Sequence, residues 1–371
     1  MKLISLETEN LRNLKRNVLK ASENINIFYG DNAQGKTNLI EAIWLCSGAK
    51  SFRGAKENEL IKFGEEFAKI KVSFEDSERI QRLELSLGEK RKVLINDVPY
   101  NNFASLIGRF YCVVFSPSHL SLLKDGPEKR RKFIDIAISQ IKPQYITYLS
   151  QYNKILVQRN ALIKDILKNP FLEETLDLWD QQLAKVGTII SMIRNDYISK
   201  LSQVAKKIYY GISGEKEHLE IKYESSIFEN SEISDTYSDK LVKFYYDKLK
   251  NSYSNDVKAG FTSVGIHRDD IDFTINAVSA RNFASQGQQR SCVLSLKLAE
   301  ANLLKIVTNE DPIILLDDVM SELDVSRQDY ILNKIKNFQV FITCCDVSNV
   351  LRLAKGKVFE VKEGEVVEIE N

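Results

Sequence analysis

Cysteine is scarce and scattered: five residues, at positions 46, 112, 292, 344 and 345, with no C-x-x-C pair among them. That spacing supports neither a disulfide framework nor a cysteine-rich metal site. It predicts a reduced, cytoplasmic setting in which the thiols are small core residues. Long apolar runs are missing as well. The longest, such as Phe110–Phe115 and Ile313–Leu316, fall far below the ~20 residues a membrane-crossing helix needs, so no membrane partner is expected. The opening stretch MKLISLETENLRNL alternates like a strand and lacks the apolar block of a signal peptide. Neither sign of charge dominates, with 52 Lys and Arg against 51 Asp and Glu, a net +1. Such balance leaves nucleic acid open as a partner, because a local basic patch on a neutral chain can hold phosphates. No Cys/His metal spacing, Ser-His-Asp arrangement, internal repeat or low-complexity tract stands out.

Against these absences one motif is complete. Gly30-Asp31-Asn32-Ala33-Gln34-Gly35-Lys36-Thr37 is a G-x-x-x-x-G-K-T phosphate-binding loop. An apolar run, Ile25–Tyr29, precedes it, and Leu39, Ile40, Ile43, Trp44 and Ser47 follow at helical spacing. The glycines let the backbone fold back so that successive N–H groups point at phosphate oxygens. Lys36 reaches the same oxygens as a point charge, and the Thr37 hydroxyl is placed for Mg²⁺. This context predicts an ATP-type nucleotide at a helix N-terminus.

A phosphate loop also needs a metal-positioning carboxylate on a neighbouring strand. Pro312-Ile313-Ile314-Leu315-Leu316-Asp317-Asp318 offers four buried-strand residues ending in two acids. Asp317 is expected to hold Mg²⁺, directly or through water, and Asp318 to polarise the attacking water. Upstream, Ser285-Gln286-Gly287-Gln288-Gln289-Arg290 opens a helix with Val293, Leu296, Ala299, Leu303 and Ile306 inward. Its N-terminus reads either as a Ser cap or as a second phosphate cradle formed by Ser285, Gly287 and Gln288. Ser321-Glu322-Leu323-Asp324 follows the acids directly.

Between these ends the periodicity changes. Residues 1–115 read as strands and turns around the loop helix, including Phe67–Phe74, Ile80–Leu87 and a hairpin at Asn96-Asp97. From Pro127 to Lys207 the pattern is helical. Tyr145, Leu149, Tyr152, Leu156, Arg159, Ile163 and Ile166 form one seam, and Trp179, Leu183, Val186, Ile190, Ile193 and Tyr197 another, with the step slipping by one at Leu201. Lys168-Asn169-Pro170 breaks between them, which predicts an antiparallel helical hairpin extending on the order of 35 Å. Residues 213–258 read as a helix between loops, and strands are expected again at Ile271–Ile275 and near Ile313, Val340 and Val358. The predicted organisation is an α/β head from 1–125 and 259–371 with a helical insertion, a short coiled-coil-like arm, at 126–258.

The ordered set of phosphate loop, S-x-G-Q, hydrophobic-DD and S-x-L-D resembles the ABC-type P-loop ATPase head. More closely, the whole chain resembles the bacterial RecF family. The resemblance rests on Asn10-Leu11-Arg12-Asn13-Leu14, GDNAQGKTNLIEAIWL (30–45), Ser51-Phe52-Arg53 and Val113-Val114-Phe115-Ser116-Pro117. It continues through Arg130-Arg131-Lys132-Phe133-Ile134-Asp135, Gly265-Ile266-His267-Arg268-Asp269-Asp270, SQGQQR (285–290) and LLDDVMSELD (315–324). It implies two heads closing on two ATPs, with Ser285, Gly287 and Gln288 of one copy capping the γ-phosphate held by the other, and a nucleotide contact for Asp324. It implies an ATP contact for Arg12, where a plain surface arginine is the alternative. For at least one of Lys129, Arg130, Arg131 and Lys132 it implies a DNA-backbone contact, where a solvated cationic turn is the alternative. The functions implied are ATP-dependent binding of gapped or single-stranded DNA in recombinational repair and replication, a slow ATPase acting as a switch, RecR- and RecO-type partners, and support of the SOS response.

Some positions depart from that family: Ile266 replaces a proline, and Ser118 and His119 replace acids. A transporter head would carry a sensing His after the later strand, where Phe341-Ile342-Thr343 offers Thr343. A long tether would need an arm of hundreds of residues, and a nuclease an added metal-carboxylate domain.

Overall fold

In the computed structural model, residues 1–89, 91–229, 233, 236–345 and 356–369 are described. They fall into two units, one of residues 1–121, 208–216 and 286–371, the other of residues 122–207 and 217–285. The first unit is α/β. Its central sheet has the strand order Glu365–Ile369, Gly356–Lys362, Ile25–Tyr29, Val340–Cys344, Ile313–Asp317 and Cys112–Phe115. The first pair is antiparallel and every later pair parallel. Three of these strands are buried along their whole length, which is why their sequences read as unbroken apolar runs. A second, antiparallel sheet orders Asn17–Lys20, Lys2–Glu9, Phe67–Glu75, Ile80–Gly88, Lys92–Ile95 and Val98–Tyr100. There burial alternates, as in Phe67–Glu75, where Ala68, Ile70, Val72 and Phe74 face the core. The expected hairpin turns at Asn96 and Asp97, both with positive φ, as a two-residue primed turn requires.

The second unit corrects two expectations. The return to the head falls at 286 and not at 259, because Asp270–Ile275 pairs antiparallel with Leu219–Glu224 in a separate three-stranded sheet. Residues 208–216, expected in the insertion, belong to the first unit. Leu219–Glu224 alternates buried and exposed residues, a strand signal hidden within a polar stretch. The arm also has more than two helices. Tyr145–Ile166 and Glu173–Ile212 supply the expected seams, but Asp239–Ala259 packs with them, its Tyr253 and Val257 lying against Ile163, Ile166 and Leu176.

Arg159, the one charged residue in the first seam, explains why the third helix is there. Its side chain is fully buried, with Nε 2.6 Å from Asp180 and Nη1 2.7 Å from Asp256 and from Thr262 Oγ1. One guanidinium thus ties three helices. Burial raises the Asp180 pKa, and the charge of Arg159 opposes the shift. Removing one partner from such a group leaves the other charges buried and unpaired. Arg159→Ala is therefore expected to destabilise the protein by about 3–5 kcal/mol, measured as a lowered urea midpoint, whereas loss of an exposed cation such as Lys129 should leave the midpoint unchanged.

Candidate nucleotide-binding site

Where strand Ile25–Tyr29 ends, the chain turns back sharply through residues suited to it. Gly30 and Gly35 have φ of 149° and 118°, and Ala33 lies in the left-handed region at 65°. A Cβ on Gly30 would meet the Val361 carbonyl oxygen at 2.3 Å, and one on Gly35 would meet Asn13 Oδ1 at 2.9 Å. Glycine is needed there for the close approach as well as for φ. Helix Lys36–Leu45 starts at once, with Gly35 as its N-cap, so its first-turn amides face the loop.

The loop is braced from two sides. Asn13 Nδ2 donates to the Ala33 carbonyl at 3.0 Å, and Asn38 Nδ2 donates to Asn13 Oδ1 at 2.7 Å. On the other side the turn Glu363-Gly364 holds Gln34: the Glu363 amide donates to Gln34 Oε1 at 2.5 Å and the Gly364 amide to the Gln34 carbonyl at 3.1 Å. Lys36, nearly buried, donates to the carbonyls of Gly30 (2.6 Å) and Asp31 (2.9 Å), and its Nζ is 3.5 Å from Cys345 Sγ. Cys345 Sγ in turn reaches Asn32 Oδ1 at 3.2 Å.

The acids arrive on the strand two places away in the sheet. Register pairs Asp317 with Thr343, and Thr343 with Phe28, which brings three strand ends to one line beside the loop. Thr37 Oγ1 donates to Asp317 Oδ1 at 2.8 Å, and Thr343 Oγ1 donates to the same oxygen at 3.0 Å. Thr343 Oγ1 also accepts the Asp318 amide at 2.8 Å. Asp318 has the left-handed φ of 52°, an uncommon conformation for a non-glycine residue. Burial, chiefly, and the like charge of Asp318 raise the Asp317 pKa, against hydrogen bonds from Thr37 and Thr343 and the charge of Arg53. Thr343, noted from sequence only as the residue where a His is missing, holds the Asp317 carboxylate and the Asp318 backbone amide. Its position opposite Asp317 was readable once the two strands were paired.

The later motifs gather around a second helix end. Helix Gln286–Thr308 opens directly after the exposed Ser285. Arg290 Nη1 donates to the Glu322 carbonyl at 2.5 Å, and its Nη2 pairs with the Glu322 carboxylate at 2.6 Å. Asp324 caps helix Val325–Ile335 by accepting the Arg327 amide at 3.1 Å. Its pKa is held at about 2, first by the Ser326 hydroxyl and further by Arg327. Arg327 Nε reaches Ser291 Oγ at 2.9 Å, and its guanidinium lies 3.4 Å from the Cβ position of Gly287. The S-x-G-Q and S-x-L-D segments are thus one connected surface.

The cationic run 129–132 is corrected in part. Arg130 is 1% exposed and its fork is taken by Asp270, at 2.6 and 2.8 Å, so it is an internal tie and not a surface cation. Arg131 donates to the Asp269 carbonyl at 2.7 Å, while Lys129 and Lys132 stay exposed, Lys129 pairing with Asp125. The motif His267-Arg268-Asp269-Asp270, whose role the sequence left open, is built into the same unit. Asp269 is buried against Tyr223, the Ser226 amide (2.7 Å) and Arg194 (3.6 Å). His267 sits between Tyr152 Oη and the Thr262 carbonyl, each at 3.0 Å, and burial lowers its pKa to about 4.

The family model for the RecF/RecN/SMC N-terminal domain matches residues 2–365. A DNA replication and repair protein RecF from Ruminiclostridium cellulolyticum is 43% identical over 98% of each chain, and one from Clostridioides difficile is 40% identical over 100% of this chain and 99% of its own. A solved structure of the recombination mediator protein RecF with ATP, in the RecFOR pathway, superposes with a TM-score of 0.91 at 37% identity, over 100% of this chain and 98% of that one. The Smc head domain from Pyrococcus furiosus, at 13% identity and a TM-score of 0.56 over 100% of this chain and 96% of its own, shares the fold. The chain belongs to the RecF family.

Proposed function

We propose that this chain is an ATP-dependent DNA-binding protein of recombinational repair and replication in the cytoplasm. ATP brings two copies together on gapped or single-stranded DNA, and slow hydrolysis lets them part. Its relatives are DNA replication and repair proteins, and a related structure holds ATP in the RecFOR pathway. Those findings support RecR- and RecO-type partners and a part in recombinase loading and the SOS response.

The observation that carries the reading is the meeting of Thr37 and Thr343 on one oxygen of Asp317 beside a phosphate loop. Thr37 Oγ1 and Asp317 Oδ1 are hard oxygen donors 2.8 Å apart, the pair that would hold Mg²⁺. Bound there, Mg²⁺ neutralises charge on the phosphates. Lys36 exchanges its carbonyl partners for phosphate oxygens, and Asp318, held by Thr343, positions water. Ser285, Gly287, Gln288 and Asp324 form the surface offered to the nucleotide of the second copy. Lys129 and Lys132 are the exposed members of the proposed DNA-contacting run.

The defining experiment is binding to single-stranded, duplex and gapped DNA over a salt series, with and without ATP. Affinity that rises with ATP and falls steeply with salt supports the clamp, and the slope counts phosphate contacts. DNA binding indifferent to ATP contradicts it.

Asp317 gives a pH signature. Its folded pKa is raised, so the folded state holds the proton more tightly than the unfolded one. Stability is gained below that pKa and lost as pH rises through it. Protons accordingly compete with Mg²⁺ at higher pH than at an ordinary aspartate. Mg²⁺-dependent ATP binding should weaken as pH falls, beginning at a higher pH than an ordinary aspartate would give, measured by titration calorimetry. Asp317→Asn should remove the gain in ATP affinity that Mg²⁺ brings and raise the Tm of the nucleotide-free protein, since the amide oxygen still accepts from both threonines.

The two-copy site is tested by complementation. Ser285→Arg should bind ATP as a monomer yet lose ATP-driven dimerisation and hydrolysis. Lys36→Met should fail on the opposite side of the site. Mixing the two restores one intact site per dimer, so ATPase activity should partly recover. A mixture as inactive as its components, with heterodimers shown by light scattering, rules out the contribution of Ser285 across the interface.

A further inference from the structure

Helix Lys36–Leu45 carries a carboxylate that the proposed chemistry does not use. Glu41 lies one turn past Thr37, and its side chain has no exposure to solvent. Both of its oxygens are engaged. Oε2 accepts from Arg12 Nε at 3.0 Å, and Oε1 accepts from Arg12 Nη2 at 3.3 Å and from the Ser51 hydroxyl. Arg53 Nη1 lies 3.9 Å from Oε2. A charge buried this deeply persists only when it is paired and hydrogen-bonded throughout.

The arginines it holds are constrained by more than the pairing. Arg12 has the left-handed φ of 57°, and its amide donates to the Leu60 carbonyl at 2.7 Å. Arg53 Nη1 donates to Asn38 Oδ1 at 2.9 Å, and Asn38 follows Thr37 in the chain. Through Asn38 and Asn13 the same network reaches the Ala33 carbonyl of the phosphate loop. Two guanidiniums share one carboxylate, so a positive charge remains in excess. Arg12 keeps Nη1 outside the fork to Glu41, and the Arg53 side chain is 45% exposed.

We infer that Glu41 is a positioning residue for the nucleotide: it fixes Arg12 and Arg53 as a cation pair beside the loop Gly30–Thr37, for the phosphates of a nucleoside triphosphate. Glu41 itself touches no ligand, being buried with both oxygens taken, and acts through the arginines. A side-on fork sets the plane of Arg12, which a freely rotating cation would have to order on binding. The inference rests on the ATP-binding reading above.

The test is a double-mutant cycle of Glu41→Gln and Arg12→Ala, reading the Kd for ATP and for inorganic tripolyphosphate, the split between KM and kcat, and the Tm. Glutamine keeps the size and accepts one hydrogen bond but releases the charge-assisted fork. Glu41→Gln is expected to raise both Kd values about tenfold and to raise KM more than it lowers kcat. In the Arg12→Ala background, where only Arg53 is left to position, the same substitution should raise Kd by clearly less than it does in the wild type. An equal effect in both backgrounds, or a Glu41→Gln protein that binds ATP like the wild type, overturns the inference. Should Glu41→Gln fail to fold, Arg12→Lys asks the same question, since lysine keeps the charge without the fork. A Kd raised as far as in Arg12→Ala supports positioning, and an unchanged Kd overturns it. Wild-type protein that binds neither ATP nor tripolyphosphate would instead refute the ATP-binding reading.

Discussion

A carboxylate buried at the end of a parallel strand is costly unless something compels it to be there, and Asp317 sets the terms for what surrounds it. Two hydroxyls, from the loop helix and from the intervening strand, must converge on one of its oxygens. That convergence fixes the register of Val340–Cys344 against both of its neighbours. It also fixes how far helix Lys36–Leu45 lies from the acid strand. The loop helix, the neighbouring strand and the left-handed turn at Asp318 all meet at this one desolvated carboxylate. The site keeps that charge ready for a cation at the expense of native stability, as functional sites often do.

The sequence made the loop and the acids legible because their chemistry is local. Gly30–Thr37 carries its function in eight consecutive residues, and Ile313–Asp318 in six. Thr343, Asn13 and Glu41 were not readable in the same way. Each acts through a partner distant in the chain, and threonine, asparagine and glutamate are ordinary residues in a strand, a turn and a helix. The seams of the arm and a helix within 213–258 could be read from the sequence, yet the packing of that helix, Asp239–Ala259, against the seams could not. Asp239–Ala259 is recruited by Arg159 through Asp256, and nothing in the first seam names that partner.

Charge was the least reliable guide. Four consecutive cationic positions looked equivalent at 129–132, but helical spacing turns one of them inward, where Asp270 receives it. The motif His267–Asp270 is equally charged and equally internal in effect, joining the small sheet of its unit to the helices beside it. Both cases follow from one rule: a buried arginine is stable only where a carboxylate or carbonyl was built to meet it.

The bond between the Glu363 amide and Gln34 spans 329 residues of sequence, and the loop strand Ile25–Tyr29 pairs on both sides with strands from the far end of the chain. The nucleotide site is therefore among the last parts of the molecule that can form. A nascent chain holds a complete phosphate-loop sequence long before it has the strands that shape it. Pairings this distant fold slowly, and until the C-terminal strands arrive the apolar strand Ile25–Tyr29 has unpaired edges. ATP affinity should consequently appear late in refolding, after the four strands between residues 67 and 100 have paired with their neighbours in sequence.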